Sequence, residues 1–267
     1  MNILPKKILF IIPSLAGGGA ERVLLNILKY LDRKKFNSHL VLFQRQGEFL
    51  SQVPADVVIY DLKKRNRFHF FKIIFLLAYR IYPKVKPDVV LSFMEYTNFV
   101  TLISRKFSRV KPFVVISDHE YVTVSLKYKR MKKLRSLFMK KLYPKADKII
   151  LVSKGMSKDL SRNYGITQSK MQVINNSVDL KHIDQAIKEV GVSEIDKNFP
   201  TIIACGRLTR PKNYPFLLRS FAKVQSQISA KLLILGQGEE KTSLEQLSQS
   251  LGIQDKVSFL GFQKKSI

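Results

Sequence analysis

The sequence predicts an α/β fold built from two doubly wound, mainly parallel domains. Three observations predict it. Apolar runs alternate with amphipathic helical patterns along nearly the whole chain. Several runs are continuous rather than in–out alternating, as expected for parallel strands covered by helices on both faces. A strand, a tight turn containing glycine and a helix start occur twice, at Lys6–Arg22 and at Thr201–Asn213.

The elements follow in order. Lys7–Pro13 reads as the first strand, and Val23, Leu24, Ile27, Leu28 and Leu31 then share one face of a helix over Ala20–Leu31. Further strands are expected at Ser38–Phe43, Val57–Tyr60, Val89–Phe93, Phe113–Ser117, Ile149–Ser153 and Met171–Ile174. Between them lie helical patterns at Phe68–Tyr82, Tyr96–Phe107, Leu126–Leu142 and Lys154–Tyr164. Together they make a domain over residues 1–180. Residues 181–198 are polar enough for a linker, with a helix at Leu180–Val190. The second domain, 199–267, reads as strand Thr201–Cys205 (a buried one), helix Pro215–Ile228, strand Lys231–Leu235, helix Glu239–Leu251 and strand Val257–Leu260.

Composition narrows the function. The chain has 267 residues, 45% of them apolar, enough for packed cores. A single cysteine, Cys205, excludes a disulfide framework and fits a reducing cytosol. No apolar stretch reaches membrane-spanning length, since Lys72 and Arg80 interrupt Phe70–Tyr82. Lys6 and Lys7 before Ile8–Leu15 mimic a signal peptide, but Pro13 breaks that run and a first strand explains it better.

Charge is the most unusual bulk property, with 47 Lys and Arg against 20 acids, a net +27. Such a chain is drawn to polyanions. Leu126–Lys145 holds nine basic residues and no acid, and Leu62–Lys86 eight more among aromatics. Two readings stand side by side. Both segments suit interfacial helices on an anionic membrane, and both suit core-facing helices with solvated lysines. Nucleic acid is a rival partner, without zinc-ligand spacing, a helix-turn-helix signal or a Lys/Arg-Gly-Phe strand motif to support it.

Gly206-Arg207-Leu208-Thr209-Arg210-Pro211-Lys212-Asn213 carries the chemistry. Gly206 permits a sharp turn, Arg207 offers a bidentate fork, Lys212 a point charge, and the helix start near Asn213 the positive end of a dipole. That is a phosphate grip, or else a basic surface loop. Gly17, Gly18 and Gly19 let backbone approach a ligand, or make a plain tight turn, and Glu21 is a favourable first-turn acid. A dinucleotide fingerprint is excluded: its frame needs Gly at position 22, where Arg22 stands, and the second strand ends at Gln44 rather than an acid.

Five segments in this order resemble the group 4 family of retaining glycosyltransferases, which have the GT-B fold of two Rossmann-like domains. They are Lys7–Leu31 with its Gly-Gly-Ala-Glu-Arg core, Ser117-Asp118-His119-Glu120, Asn175–Asp179, Gly206–Asn213 and Leu232–Phe262. The resemblance covers nearly the whole chain. It implies transfer of a sugar from a nucleotide diphosphate, with UDP as the expected nucleotide, to an acceptor hydroxyl with retention. Arg207 and Lys212 match the diphosphate-binding pair. Gly206, Gly236, Gly238 and Phe262 match segments near the nucleotide, and His119 matches a catalytic-site histidine that contacts the donor sugar. Asp118, His119 and Glu120 read equally as a metal cluster or a helix-cap feature. Ser177 stands where the family has Gly.

Leu91–Asn98 and Val115–Glu120 look most like members that add N-acetylhexosamines to polyprenyl-diphosphate-linked oligosaccharides. Lys129, Arg130, Lys132, Lys133 and Arg135 are then candidates for the acceptor or lipid phosphate. No Asp-x-Asp triplet occurs, so no metal and no cofactor is expected. Peripheral attachment to the inner face of the cytoplasmic membrane is the expected location. The second domain is incomplete against the family: the segment with two glutamates separated by seven intervening residues is missing. A second chain completing that domain, and a non-catalytic remnant, are therefore the alternatives to an enzyme acting alone.

Overall fold

The computed structural model describes residues 4–64, 69–190 and 200–262. It divides into two compact units, Met1–Val178 and Asp179–Ile267. In chain order the first contains β1 (Lys6–Ile12), α1 (Gly19–Tyr30), β2 (Phe36–Leu42), β3 (Val58–Asp61), α2 (His69–Leu76), a π-helical turn (Leu77–Ile81), α3 (Tyr82–Val85), β4 (Val89–Phe93), α4 (Glu95–Phe107), β5 (Phe113–Asp118), α5 (Val122–Lys127), α6 (Lys132–Leu142), β6 (Lys148–Leu151), α7 (Lys154–Tyr164) and β7 (Met171–Val173). The second contains α8 (Leu180–Val190), β8 (Thr201–Cys205), α9 (Tyr214–Gln225), β9 (Lys231–Leu235), α10 (Lys241–Ser250) and β10 (Val257–Gly261). Of the expected linker, residues 191–198 lie outside the described residues, as does Phe68 of the expected second helix.

All seven strands of the first unit run parallel in the order β3-β2-β1-β4-β5-β6-β7. The stretch that mimics a signal peptide is the central strand. Successive residues of β1 serve opposite faces, as the two-residue strand period requires. Leu9 and Ile11 join the larger core with residues from α2 to α7, while Phe10 and Ile12 meet Leu24 and Leu28 of α1. Both faces are covered, which is why the run reads as continuously apolar.

Two expected elements change on folding. The helix expected over Leu126–Leu142 is two helices, because the chain reverses through Tyr128–Met131 with Met131 at φ 57°. This bend lets Val122 and Leu126 of α5 and Met139 of α6 enter one core. Leu134 and Leu137 of α6 are 39% and 44% exposed. The buried strand expected at Thr201–Cys205 is instead an edge strand: the second sheet has the order β10-β9-β8. Ile202, Ile203 and Cys205 are accordingly exposed.

Candidate functional site

The second unit presents its candidate residues on two interlocked turns beyond the carboxyl ends of β8 and β9. The amide of Gly206 donates to Leu235 O at 2.9 Å, that of Leu208 to Gln237 O at 2.9 Å, and that of Glu240 to Leu208 O at 3.1 Å. A Cβ on Gly236 would stand 1.9 Å from Gly206 O, and one on Gly238 would stand 2.1 Å from Leu208 O. Only glycine permits that approach. The Gly-x-Gly therefore holds the basic turn in place, a packing duty separate from any contact with a nucleotide. Leu208 is fully buried beneath the turn, and the Tyr214 hydroxyl donates to Gly206 O at 3.1 Å. Tyr214 was absent from the sequence-based site, although its place at the start of α9 fixes the turn to the helix.

On this rigid base Arg207 and Lys212 are both exposed, and neither has a carboxylate partner among the described residues. Arg210, between them, reaches Glu240 at 4.0 Å. Lys212 closes a short 3₁₀ turn, Arg210–Lys212, and Asn213 takes a left-handed conformation, φ 53°, before α9. Lys212 also borders a groove of about 590 Å³ between β8 and α9, with Cys205, Phe216 and Leu217 in its walls. Phe262 is 45% exposed just beyond β10.

In the first unit the glycine turn follows β1 directly. Gly17 is at φ 99°, which favours glycine, and around Gly17 and Gly19 the space a side chain would fill is open. Glu21 is buried and folds back so that its carboxylate lies 2.4 Å from where a Gly18 Cβ would be. An acid is thus already seated in the first turn of α1, where the helix dipole favours it.

Beyond β4 and β5 lies a buried polar network. Asn98, in the first turn of α4, accepts from the Ser92 hydroxyl at 2.7 Å and donates to Ser117 O at 3.2 Å and Asp118 Oδ1 at 3.1 Å. Burial pushes the Asp118 carboxyl up to about 7, opposed by the neighbouring Tyr143 hydroxyl and helped by the Glu95 charge. His119 stacks on Phe93 at 5.7 Å, and its Nε2 lies 3.1 Å from the Ser117 hydroxyl. Burial lowers its pKa, against the neighbouring Asn176. Its Nδ1 is buried, with no hydrogen-bond partner among the described residues. Asp118, His119 and Glu120 do not converge: among the described residues no three such side chains gather as a metal site.

The five basic candidates separate into two groups. Lys129 Nζ lies 2.8 Å from Glu95 Oε2 and 3.0 Å from Glu120 Oε2, and Arg135 Nη1 lies 3.1 Å from Glu95 Oε2. Burial alone would lower the Lys129 pKa, but Glu95 and then Glu120 hold it above the ordinary lysine range. Arg130, Lys132 and Lys133 remain exposed. Glu95 is 6% exposed and follows Met94, whose φ 73° and ψ 147° fall in backbone space that non-glycine residues avoid. The sequence placed Glu95 only within the segment Leu91–Asn98 and did not single it out, because a glutamate at a helix start is ordinary until its burial is known.

Comparison with known proteins bears on the whole arrangement. Residues 17–182 match the model of Glycosyltransferase Family 4, and residues 186–267 that of Glycosyl transferases group 1. A Campylobacter jejuni N-acetylgalactosamine-N,N'-diacetylbacillosaminyl-diphospho-undecaprenol 4-alpha-N-acetylgalactosaminyltransferase is 30% identical over 264 residues, covering 96% of this chain and 70% of the relative. Among solved structures, Anabaena HepE in complex with UDP-glucose aligns with a TM-score of 0.69 at 20% identity, over 97% of this chain and 70% of that one. Sucrose-phosphate synthase from Thermosynechococcus elongatus aligns at 0.75 and 15% identity, over 97% and 71%. The sheet orders described above are those of this α/β class, and with a family model matched over most of its length the chain belongs to glycosyltransferase family 4.

Proposed function

We propose that the chain is a retaining transferase that moves a sugar, an N-acetylhexosamine, from a UDP-linked donor to a saccharide carried on a polyprenyl diphosphate. It works without a metal, peripherally on the inner face of the cytoplasmic membrane. The acceptor named for the Campylobacter relative and the UDP-glucose bound to HepE support this reading. One observation carries it: Arg207 and Lys212 stand exposed and unpaired among the described residues, on a turn locked to its sheet. Negative charge grows on the departing diphosphate as the glycosidic bond breaks. Fixed cations there lower the barrier, and losing one typically costs about 3 kcal/mol, two orders of magnitude in rate.

Arg207→Ala and Lys212→Ala are therefore expected each to cut sugar transfer about a hundredfold and to weaken UDP binding, with far-UV circular dichroism unchanged. Unaltered UDP affinity in both variants would overturn the assignment. A second reading, in which another polypeptide acts with this chain, is favoured by β8, whose outer edge pairs with no strand among the described residues. Transfer assayed with and without the product of the neighbouring gene separates the two readings. A chain that binds pyrophosphate but transfers nothing in either mixture would be the non-catalytic form. Competition between anionic vesicles and an oligonucleotide tests the third reading, nucleic-acid binding, which a clear oligonucleotide preference would favour.

A further inference from the structure

Lys129 is shared between two carboxylates of very different standing. Glu95 is buried, and its Oε2 is the common anchor of Lys129 and Arg135. Its Oε1 is buried too and has no hydrogen-bond partner among the described residues. Removing Glu95 would leave two cations without their root, so this carboxylate is structural in the strict electrostatic sense. Glu120, by contrast, is 58% exposed, and among the described residues it meets the lysine alone, at 3.0 Å. An exposed ion pair of this kind is weak and readily exchanged. The first turn of α6 contains no acid, and Arg130, Lys132 and Lys133, one to four positions after Lys129 in the chain, are exposed.

We propose that Glu120 is a resident counter-ion at this basic corner: it occupies Lys129 until a diphosphate displaces it, while Glu95 keeps Lys129 and Arg135 in place for the incoming anion. The inference rests on the reading of the corner as the site of the acceptor's diphosphate. A ligand with two or more negative charges replaces one carboxylate and also meets the open cations, so the exchange discriminates against singly charged anions. Glu120 directly follows His119 in the chain, so the exchange takes place next to the residue expected to meet the donor sugar. The strained backbone at Met94 supports a demanding role for its neighbour Glu95.

The test is calorimetric titration of the full chain with inorganic pyrophosphate at physiological salt, with a short prenyl diphosphate, UDP and phosphatidylglycerol vesicles as separate arms. Glu120→Gln and Glu120→Ser are expected to tighten pyrophosphate and prenyl diphosphate binding about two- to fivefold, the range an exposed ion pair supplies. UDP binding stays level, and so does vesicle binding if the ligand is a diphosphate rather than a lipid headgroup. In a Lys129→Met background neither substitution tightens binding, an outcome that mere removal of negative charge would not give. Unchanged or weaker pyrophosphate binding in both Glu120 variants overturns the counter-ion role. The triple variant Arg130→Ala, Lys132→Ala, Lys133→Ala tests the corner separately: if it binds pyrophosphate as tightly as the parent, the acceptor-site reading falls and the inference with it.

Discussion

Individual residues in this chain acquire their meaning from what approaches them. Gly236 and Gly238 read from the sequence as a turn near a nucleotide, but a second backbone lies about 2 Å from where their side chains would begin. Gly238→Ala should therefore force the two turns apart and destabilise the second unit by about 1–3 kcal/mol, the usual cost of overpacking. Urea denaturation followed by a probe in that unit checks this; a variant as stable as the parent would contradict the geometry. Asp118 makes a second residue-level case. With a folded value of about 7 against 3.8 for a free side chain, it keeps its proton in the folded state where the unfolded chain has lost it. The folded form then binds more protons, so its contribution to stability falls as pH rises between about 4 and about 7, by at most about 1.4 kcal/mol per unit, and is level above. Asp118→Asn removes that slope. The stability of the variant relative to the parent should rise across the same window, and a pH-independent difference would place the carboxyl outside a desolvated site.

At the scale of elements, α6 is built against its own dipole. Lys132 and Lys133 occupy its first turn with no acid present, where negative charge would be favoured. Arg135 alone finds a carboxylate, in Glu95. Lys132→Glu should stabilise the fold by about 0.3–1 kcal/mol at low salt while weakening binding to anionic vesicles. Thermal melts and vesicle sedimentation on the same preparation measure both, and a gain in vesicle binding would argue against a membrane-facing corner. The other basic segment also turns apolar surface outward: Phe71, Phe75 and Tyr79 are exposed along the α2 face and the π turn. Among the described residues no helix is long and apolar enough to cross a membrane, so the contact proposed for these helices is a lateral one.

The whole molecule consists of two units with separate cores. The first joins residues from β1 to β7 through two clusters on opposite sheet faces; the second gathers Leu208, Tyr214, Leu218, Phe221, Leu232 and Ile234 around three strands. Urea should accordingly unfold the chain in two transitions, with Gly238→Ala moving only one of them. A single cooperative transition, shifted as a whole by that substitution, would show that the cores are energetically one.

The strands and helices were legible because parallel sheets covered on both faces demand continuous apolar runs, and helices demand a 3.6-residue period; both are local properties of the chain. The order of motifs, and with it the basic turn around Arg207 and Lys212, was legible through the resemblance to the family. Only tertiary structure decided which charges are available. It paired Lys129 and Arg135 with a buried glutamate, seated Glu21 over the first glycine turn, and left Arg207 and Lys212 unpaired among the described residues. Whether a lysine is free or neutralised depends on a carboxylate that can stand 34 positions away in sequence, as Glu95 does from Lys129. Coulomb attraction falls with distance in space rather than along the chain, so no local pattern records it.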